Sequence, residues 1–305
     1  MGNGKGDRFR ELLKRPELLV LPGGFSPMMA KMVEEIGFDT FFMAGSHTSS
    51  YVWGLPDAGL ITMREMVDHA RRVADGCTIP VVADADTGFG NALNVYRTVR
   101  EYAGTGVAAI TIEDQEAPKK GVGSTGCISV EEAVGKYQAA VAARAELDSD
   151  LVIIARCDFI RSDGGSFDGA VERCIRYVEE GGADAVWMTG IATREEVTQA
   201  CRRIPAPVLP GYAGPPPSPT TKGSFALAGA MRSRCSRGGT GLTATDQTQD
   251  IFRRFDAELR EMDLSLGNTV RTRLWGRDRE SRDLGSREPV NLGVGRQATA
   301  SSTEA

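Results

Sequence analysis

The sequence has little of what marks a membrane, secreted or nucleic-acid-binding protein. No apolar run approaches the ~20 residues that span a bilayer, and the stretch MGNGKGDRFRELLKR lacks the apolar segment of a secretory signal. The net charge of −5 gives no electrostatic reason for binding nucleic acid or an anionic membrane. We therefore expect a cytoplasmic protein whose partners include neither nucleic acid nor membrane.

Histidine and paired cysteines are also scarce. The chain has two His, and its six Cys are scattered with no C-x-x-C spacing. A structural zinc site is therefore not expected, and the thiols should stay free in a reducing compartment. A G-x-G-x-x-G dinucleotide-binding motif is missing after the first predicted strand.

What the sequence does contain is a regular alternation of apolar strand-like runs and helical patterns. The predicted strands are residues 18–21, 38–44, 79–86, 107–114, 151–158, 183–188 and 207–209. The predicted helices are residues 9–13, 27–36, 62–73, 91–102, 130–145, 168–180 and 194–203. This alternation predicts right-handed βαβ units. Because polar residues follow many different strands, we favour a (β/α)₈ TIM-type barrel over an open doubly wound sheet.

The C-terminal part departs from this regular pattern. Residues 221–245, where the eighth strand belongs, are rich in Arg and poor in strand-forming residues, so we place no strand there. A helix over residues 245–262, apolar on one face, is expected to extend the barrel. The predicted organisation is a barrel with a C-terminal helical extension over residues 1–262 and a disordered or extended tail over residues 263–305.

Acidic residues follow two neighbouring predicted strands. Asp84 and Asp86 end the run IPVVADAD and face the same way, because residues i and i+2 of a strand share a face. A hard cation such as Mg²⁺ would neutralise them, with Glu113 from the next strand. Since Mg²⁺ takes only one or two protein carboxylates, Asp86 should bind it directly, while Asp84 and Glu113 hold its waters. The alternatives are a solvated acidic loop and, for Glu113, an ion pair at the barrel rim.

Arg156 ends the fifth predicted strand and has two interpretations. Its guanidinium could hold a substrate carboxylate through two parallel hydrogen bonds. It could instead neutralise Asp158 or Glu113 in a structural role.

Longer motifs in the chain resemble a known family. The strings VADADTGFGNALNVYRTV, TIEDQ-x-x-PKK, ISVEEAVGK and IIARCD, with AGS and GLPD upstream, resemble the isocitrate lyase/phosphoenolpyruvate mutase superfamily over roughly residues 13–212. The resemblance implies a (β/α)₈ barrel, Mg²⁺ (or Mn²⁺ in its place), and small α-oxo or α-hydroxy acid substrates. It also implies a homo-oligomer, commonly a tetramer that exchanges a C-terminal helix between subunits.

The resemblance also implies roles for individual residues. Asp86 would be the metal ligand, with Asp57, Asp84 and Glu113 around the metal through water. The implied substrate-binding residues are Ala44, Gly45, Ser46, Arg156, Lys120 and Tyr212, and the implied catalytic residues are Asp57, Glu113 and Arg156. Lys119 and Lys120 would either steer an anionic substrate or be plain solvated charges.

The loop after the fourth predicted strand departs from the family. Lyases of the isocitrate and 2-methylisocitrate type carry KKCGH or KRCGH there, and the Cys serves as an acid or base. Gly121 stands at the Cys position in this chain, and Cys127, farther along, either substitutes for it or is incidental. Decarboxylation needs no such Cys, because CO₂ leaves without proton transfer from the enzyme.

The sequence therefore predicts a Mg²⁺-dependent carbon–carbon lyase that acts on a small dicarboxylate through a metal-stabilised, pyruvate-type enolate. Oxaloacetate decarboxylase-like and 2,3-dimethylmalate or 2-methylisocitrate lyase-like activities are the leading forms. The alternatives are a phosphonate C–P mutase or hydrolase and a catalytically impaired member with an altered segment 221–245. The mutase is less favoured because no Asn lies between Asn94 and Asn268.

Overall fold

The computed structural model describes residues 4–15, 19–119, 126–212 and 230–231. They all belong to one compact unit, Met1–Asp263. The second unit, Leu264–Ala305, lies outside the described residues. So do the helix predicted over residues 245–262 and all of the segment 221–245 except Ala230 and Met231.

The described elements alternate between strand and helix along the chain. The α-helices are α1 Lys5–Lys14, α2 Pro27–Glu35, α3 Gly45–His47, α4 Met63–Asp75, α5 Ala92–Ala103, α6 Val130–Glu146, α7 Phe167–Glu179 and α8 Arg194–Arg203. The strands are β1 Leu19–Val20, β2 Gly23–Gly24, β3 Phe41–Met43, β4 Val81–Asp84, β5 Ala109–Glu113, β6 Val152–Cys157, β7 Ala185–Ile191, β8 Val208–Tyr212 and β9 Ala230–Met231. None of the helices in the described ranges is long and apolar enough to cross a membrane.

Strands β2 to β8 form one parallel sheet in which each strand pairs with the next one along the chain. A doubly wound sheet would reverse its strand order at a switch point, and no reversal occurs among these strands. The fold is therefore of the (β/α)₈ TIM type, as predicted, with seven of the parallel strands within the described residues.

The beginning of the sheet differs from the prediction. The apolar run predicted as the first barrel strand contains β1, which pairs antiparallel with β9 outside the parallel sheet. The parallel sheet starts instead at Gly23–Gly24, beside β3. A Cβ at Gly24 would lie 2.8 Å from Cζ of Phe41, so this strand needs a residue without a side chain. Two glycines give no apolar signal, which is why the pattern placed the strand too early.

Helix boundaries follow the capping signals in the sequence. From α2 onward the helices longer than one turn begin and end within two residues of their predicted bounds. Before α4, Thr62 accepts a hydrogen bond from the Glu65 N–H, and the Glu65 side chain accepts one from the Thr62 N–H. This reciprocal box satisfies two N–H groups that a helix start leaves unpaired.

The hydrophobic core has two layers, as expected of a barrel with outer helices. The larger layer lies between helices and sheet and includes Ile110 and Ile112 of β5. The second layer fills the barrel interior and includes Ala109 of the same strand, because successive side chains alternate between faces. Helix α1 contributes Phe9, Leu12 and Leu13 to this inner layer.

Helix α1 closes the amino-terminal end of the barrel. Lys5 Nζ donates hydrogen bonds to the carbonyls of Ala74 and Cys77, which precede β4. Arg10 Nη1 donates to the carbonyl of Asp150, which precedes β6. With this end closed by an apolar plug, the polar residues inside the barrel gather at the opposite, carboxyl-terminal end.

We predict that Phe9→Ala will lower the free energy of unfolding by about 3–5 kcal/mol, because it removes a large, fully buried side chain from the plug. Urea denaturation followed by circular dichroism measures the change. Leu93→Ala is the matched control, since Leu93 is 81% exposed, and should change stability by less than about 0.5 kcal/mol. Equal effects of the two variants would contradict the assignment of α1 as a plug.

Candidate active site

The ends of three neighbouring strands direct charged side chains into the barrel. Val82, Ala109 and Ile154 belong to the inner layer, so Asp84, Glu113 and Arg156, an even number of residues farther along β4, β5 and β6, face the same interior. Glu113 and Arg156 are register partners, and Arg156 is in turn the partner of Trp187 on β7. The predicted meeting of these strand-end side chains is confirmed.

A lysine lies at the centre of the carboxylates. Lys119 Nζ is 3.1 Å from Asp57 Oδ1, 3.2 Å from Asp86 Oδ2 and 3.2 Å from Glu113 Oε1. Only 3% of the Lys119 side chain is exposed. Lys119 is therefore not a solvated charge, which corrects one of its two predicted interpretations. We call Asp57, Asp86, Glu113 and Lys119 the carboxylate–lysine cluster.

Asp84 lies beside this cluster and is held by the backbone. Its Oδ2 accepts a hydrogen bond from the Gly45 N–H at 3.2 Å, and its Oδ1 accepts one from the Asp86 N–H at 2.8 Å. A Cβ at Gly45 would lie 2.6 Å from Asp84 Oδ2, so glycine is required there. These contacts bring the predicted substrate-binding segment against the carboxylates.

A turn after β4 returns Asp86 toward β5. Asp86 has φ of 51°, in the left-handed region that few residues other than glycine adopt. Its carbonyl accepts a hydrogen bond from the Glu113 N–H at 2.9 Å. The turn therefore joins the backbones of two of the residues predicted to serve a metal, Asp86 and Glu113. A non-glycine residue in this conformation is common at functional sites.

Arg156 makes ion pairs with both of its predicted structural partners. Its Nε is 2.8 Å from Asp158 Oδ2, and its Nη1 is 2.9 Å from Glu113 Oε2. The guanidinium carbon lies 5.0 Å from the centre of the Trp187 ring, and 16% of the side chain is exposed. Both predicted ion pairs of Arg156 are therefore present, and its role toward a substrate stays a prediction.

Two residues of β7 join the site without having been predicted. Trp187 lies under the Arg156 guanidinium, and its buried Nε1 has no hydrogen-bond partner among the residues that the structure describes. Thr189 Oγ1 donates to Asp158 Oδ1 at 2.7 Å. The alternation of side chains along β7 places Trp187 and Thr189 on the same face as Ala185, so both could have been predicted to face the site. They were missed because the end of this strand looks apolar in the sequence.

Cys127 belongs to a different cluster, on the outer face of β5. Its Sγ lies 3.5 Å from Asp114 Oδ1, and the same carboxylate accepts hydrogen bonds from the Tyr177 hydroxyl and Arg173 Nε of α7. Burial and the neighbouring Asp114 raise the pKa of the Cys127 thiol. This placement supports the interpretation that Cys127 is incidental and does not replace the missing loop Cys.

The charges of the cluster shift each other's protonation. Burial raises the pKa of Glu113 to about 7, although Arg156 and Lys119 oppose the rise. Burial also raises the pKa of Asp86, against the attraction of Lys119. Burial alone would lower the pKa of Lys119, but the negative charges of Glu113 and the neighbouring Asp side chains have the larger effect and raise this pKa. Perturbed carboxylates in one cavity are typical of functional sites.

The carboxylates of this site have the donor atoms that a hard divalent cation prefers. Within the described ranges, no three His, Cys, Asp or Glu side chains are already spaced around a metal position. However, the donor atoms of Asp57, Asp84, Asp86 and Glu113 are all oxygens, as Mg²⁺ prefers. Both Glu113 oxygens are buried, and their ion pairs with Lys119 and Arg156 are close but poorly aligned as hydrogen bonds. Buried carboxylate oxygens that lack a well-aligned donor among the described residues are suited to binding a cation.

Comparison with known proteins agrees with this geometry. Residues 9–238 match the family model described as phosphoenolpyruvate phosphomutase. The chain belongs to this family, within the isocitrate lyase/phosphoenolpyruvate mutase superfamily. The predicted resemblance is therefore confirmed, and the chain's relatives in the family include lyases.

Two similar proteins have named activities. The chain is 43% identical over 204 residues to 2,3-dimethylmalate lyase of Eubacterium barkeri, covering 66% of this chain and 69% of the relative. It is 40% identical over 204 residues to oxaloacetate decarboxylase of Pseudomonas fluorescens, covering 66% and 68%. A solved oxaloacetate acetylhydrolase with bound oxalate superposes with a TM-score of 0.63 at 33% identity, covering 68% of this chain and 71% of that one.

The remaining predicted site residues have mixed outcomes. Ala44 is buried in the inner layer, and Ser46 is exposed in the short helix α3. Lys120 and the side chain of Tyr212 lie outside the described residues. The structure thus brings together Asp57, Asp84, Asp86, Glu113, Arg156 and Gly45.

The raised pKa of Glu113 makes a prediction for the metal-free protein. A carboxyl whose folded pKa exceeds its unfolded value of 4.5 contributes stability below that value and loses it as the pH rises through about 7. The contribution of Glu113 to the free energy of unfolding should therefore fall between about pH 4.5 and about pH 7, so wild type should lose more stability over this range than Glu113→Gln. Urea denaturation with a chelator present measures both slopes. Glu172→Gln, at an exposed position of α7, should keep the wild-type slope, and an unchanged slope in Glu113→Gln would contradict the assignment.

Proposed function

We propose that this protein is a divalent-metal-dependent lyase that cleaves a carbon–carbon bond of a small α-oxo or α-hydroxy dicarboxylate. The observation that carries the proposal is the meeting of Asp57, Asp86 and Glu113 on one cationic centre beside Arg156. The relatives named above act as lyases or decarboxylases on such acids, and a phosphonopyruvate hydrolase of similar structure was solved with Mg²⁺ and oxalate.

The chain's own residues would divide the work between metal and substrate. Asp86 would bind Mg²⁺ (or Mn²⁺) directly, with Asp57, Asp84 and Glu113 around it. When bound, the cation would draw electron density from the oxo group of the substrate, which favours cleavage of the neighbouring bond. Arg156 would hold a substrate carboxylate beside Glu113, in the orientation that Asp158 and Trp187 impose on its guanidinium.

Oxaloacetate decarboxylation is the favoured form of this activity. Cleavage of larger dicarboxylates requires an acid that protonates the departing fragment, and Cys127 is committed to Asp114 on the outer face of β5. Carbon dioxide needs no such proton from the enzyme. The 43% identity to 2,3-dimethylmalate lyase keeps that substrate as the nearest competitor.

The remaining parts of the proposal concern assembly and compartment. We propose a homotetramer that exchanges a C-terminal helix, with the catalytic barrel over residues 1–262 and a separate tail over residues 263–305. We propose the cytoplasm as the compartment, because Cys77, Cys127, Cys157 and Cys174 carry free thiols. Ala44, Gly45, Ser46, Lys120 and Tyr212 stay predicted substrate contacts.

The purified protein with Mg²⁺ should convert oxaloacetate to pyruvate, measured with a lactate dehydrogenase assay. Parallel assays with 2,3-dimethylmalate, 2-methylisocitrate and phosphonopyruvate, with phosphate and oxalate also detected, separate lyase, C–P hydrolase and acetylhydrolase reactions. Asp86→Ala should abolish turnover, because it removes the direct metal ligand. Asp39→Ala removes an exposed ion pair with Arg15 and should keep full activity. Turnover of phosphonopyruvate alone, or of none of the four, would refute the proposal.

Arg156→Lys should lower kcat/KM by about 10- to 100-fold, the loss expected when one or two charge-assisted hydrogen bonds of about 1.5–3 kcal/mol are removed. Lysine keeps the charge but cannot bridge Asp158 and a substrate carboxylate together. Steady-state kinetics on the active substrate measures the effect. Arg64→Lys, in an exposed ion pair with Asp68, is the control. Wild-type kinetics in Arg156→Lys would restrict Arg156 to its structural ion pairs.

A further inference from the structure

The carboxylate–lysine cluster already holds a cation, and that cation belongs to the chain. We infer that the Lys119 ammonium occupies the position of the divalent metal, and that the metal binds by displacing Lys119. The inference rests on the proposed function, because it presupposes that a divalent cation binds to these carboxylates. It concerns what the metal must remove before it can bind.

A divalent cation and the Lys119 ammonium would be held by the same carboxylate oxygens. Asp57, Asp86 and Glu113 each direct an oxygen to within 3.1–3.2 Å of Lys119 Nζ. Mg²⁺ requires ligand oxygens at about 2.0–2.1 Å in octahedral geometry. A metal that takes Asp86 and is surrounded by the other two would therefore lie at or beside the ammonium nitrogen, where two positive charges repel strongly.

Burial keeps the Lys119 ammonium and the carboxylates together in the folded protein, so an incoming metal must compete with Lys119. The Lys119 side chain is 3% exposed and the Glu113 side chain is 0% exposed, so neither can turn to bulk water in place. Asp57, Asp84, Asp86, Glu113 and Asp158 outnumber the cations Lys119 and Arg156. These carboxylates attract a doubly charged ion more strongly than they attract the singly charged ammonium of Lys119.

Two consequences follow for the protein. The metal-free fold has its buried carboxylates partly neutralised by Lys119, so it does not depend on metal for this purpose. Metal binding and the release of Lys119 are one event, so the ammonium becomes accessible only in the metal-loaded protein. Lys119 therefore sets the metal affinity without being a ligand.

Chemical acetylation of the wild-type protein tests the displacement directly. Peptide mass spectrometry after brief treatment with an acetylating reagent reports the accessibility of each lysine, with and without Mg²⁺. Acetylation of Lys119 should rise several-fold with Mg²⁺. Lys14, which is 70% exposed, and Lys136, which is buried and donates to the Thr87 carbonyl, should not change. Unchanged or lower acetylation of Lys119 would overturn the inference.

Mn²⁺ binding, followed by electron paramagnetic resonance, tests the competition. Lys119→Met should bind Mn²⁺ at least about tenfold more tightly than wild type, because it removes the competing charge. Lys136→Met removes a buried positive charge that contacts the Thr87 carbonyl and leaves the Lys119 ion pairs intact, so its affinity should stay within about twofold of wild type. Equal or weaker binding by Lys119→Met would overturn the inference.

The same titrations separate this inference from the proposed function. If wild type binds Mn²⁺ in an Asp86-dependent way and Lys119→Met binds no more tightly, only the inference fails. If neither protein binds Mn²⁺, both fail. If Lys119→Met folds only with Mn²⁺ present, the inference is supported, because the metal then replaces the missing ammonium. The acetylation measurement does not depend on how any variant folds.

Discussion

The burial of several like charges at one end of a barrel is the constraint on which this structure depends. Each carboxylate would be unstable there without compensation, because burial disfavours the charged form. The chain compensates with two cationic side chains and with backbone N–H groups. Lys119 serves Asp57, Asp86 and Glu113, Arg156 serves Glu113 and Asp158, and Gly45 donates to Asp84. These cations neutralise several carboxylates each, while both Glu113 oxygens lack a well-aligned hydrogen bond within the described residues.

The barrel accommodates this concentration of charge because its charged residues lie at one end and its apolar plug lies at the other. The inner layer is apolar from the α1 plug to Val82 and Ile154. Two residues farther along the same strands, the inward-facing side chains are the charged Asp84 and Arg156. Because strands β2 to β8 are all parallel, these transitions occur at the same end of the sheet. A site is thus the direct result of strand direction combined with side-chain alternation.

Sequence patterns predict the parts of this structure that depend on short-range order. The βαβ alternation, the capping box at Thr62 and the inward direction of Asp84 and Glu113 all follow from spacings of two to four residues. The position of Lys119 does not, because its contacts with Asp57 and Asp86 join loops far apart in the chain. The start of the sheet at Gly23–Gly24 was also hidden, since its cause is contact with Phe41 rather than an apolar run.

The outer cluster around Asp114 has a consequence for anyone who alters this scaffold. Asp114 accepts hydrogen bonds from Tyr177 and Arg173 of α7 and also from the backbone N–H of Asp158, the residue that orients Arg156. The outer face of β5 is therefore linked to the candidate active site through the backbone N–H of Asp158. Substitutions of Arg173 or Tyr177, which are buried on α7, would therefore be transmitted to the candidate active site, whereas substitutions on α1 act at the opposite end of the barrel.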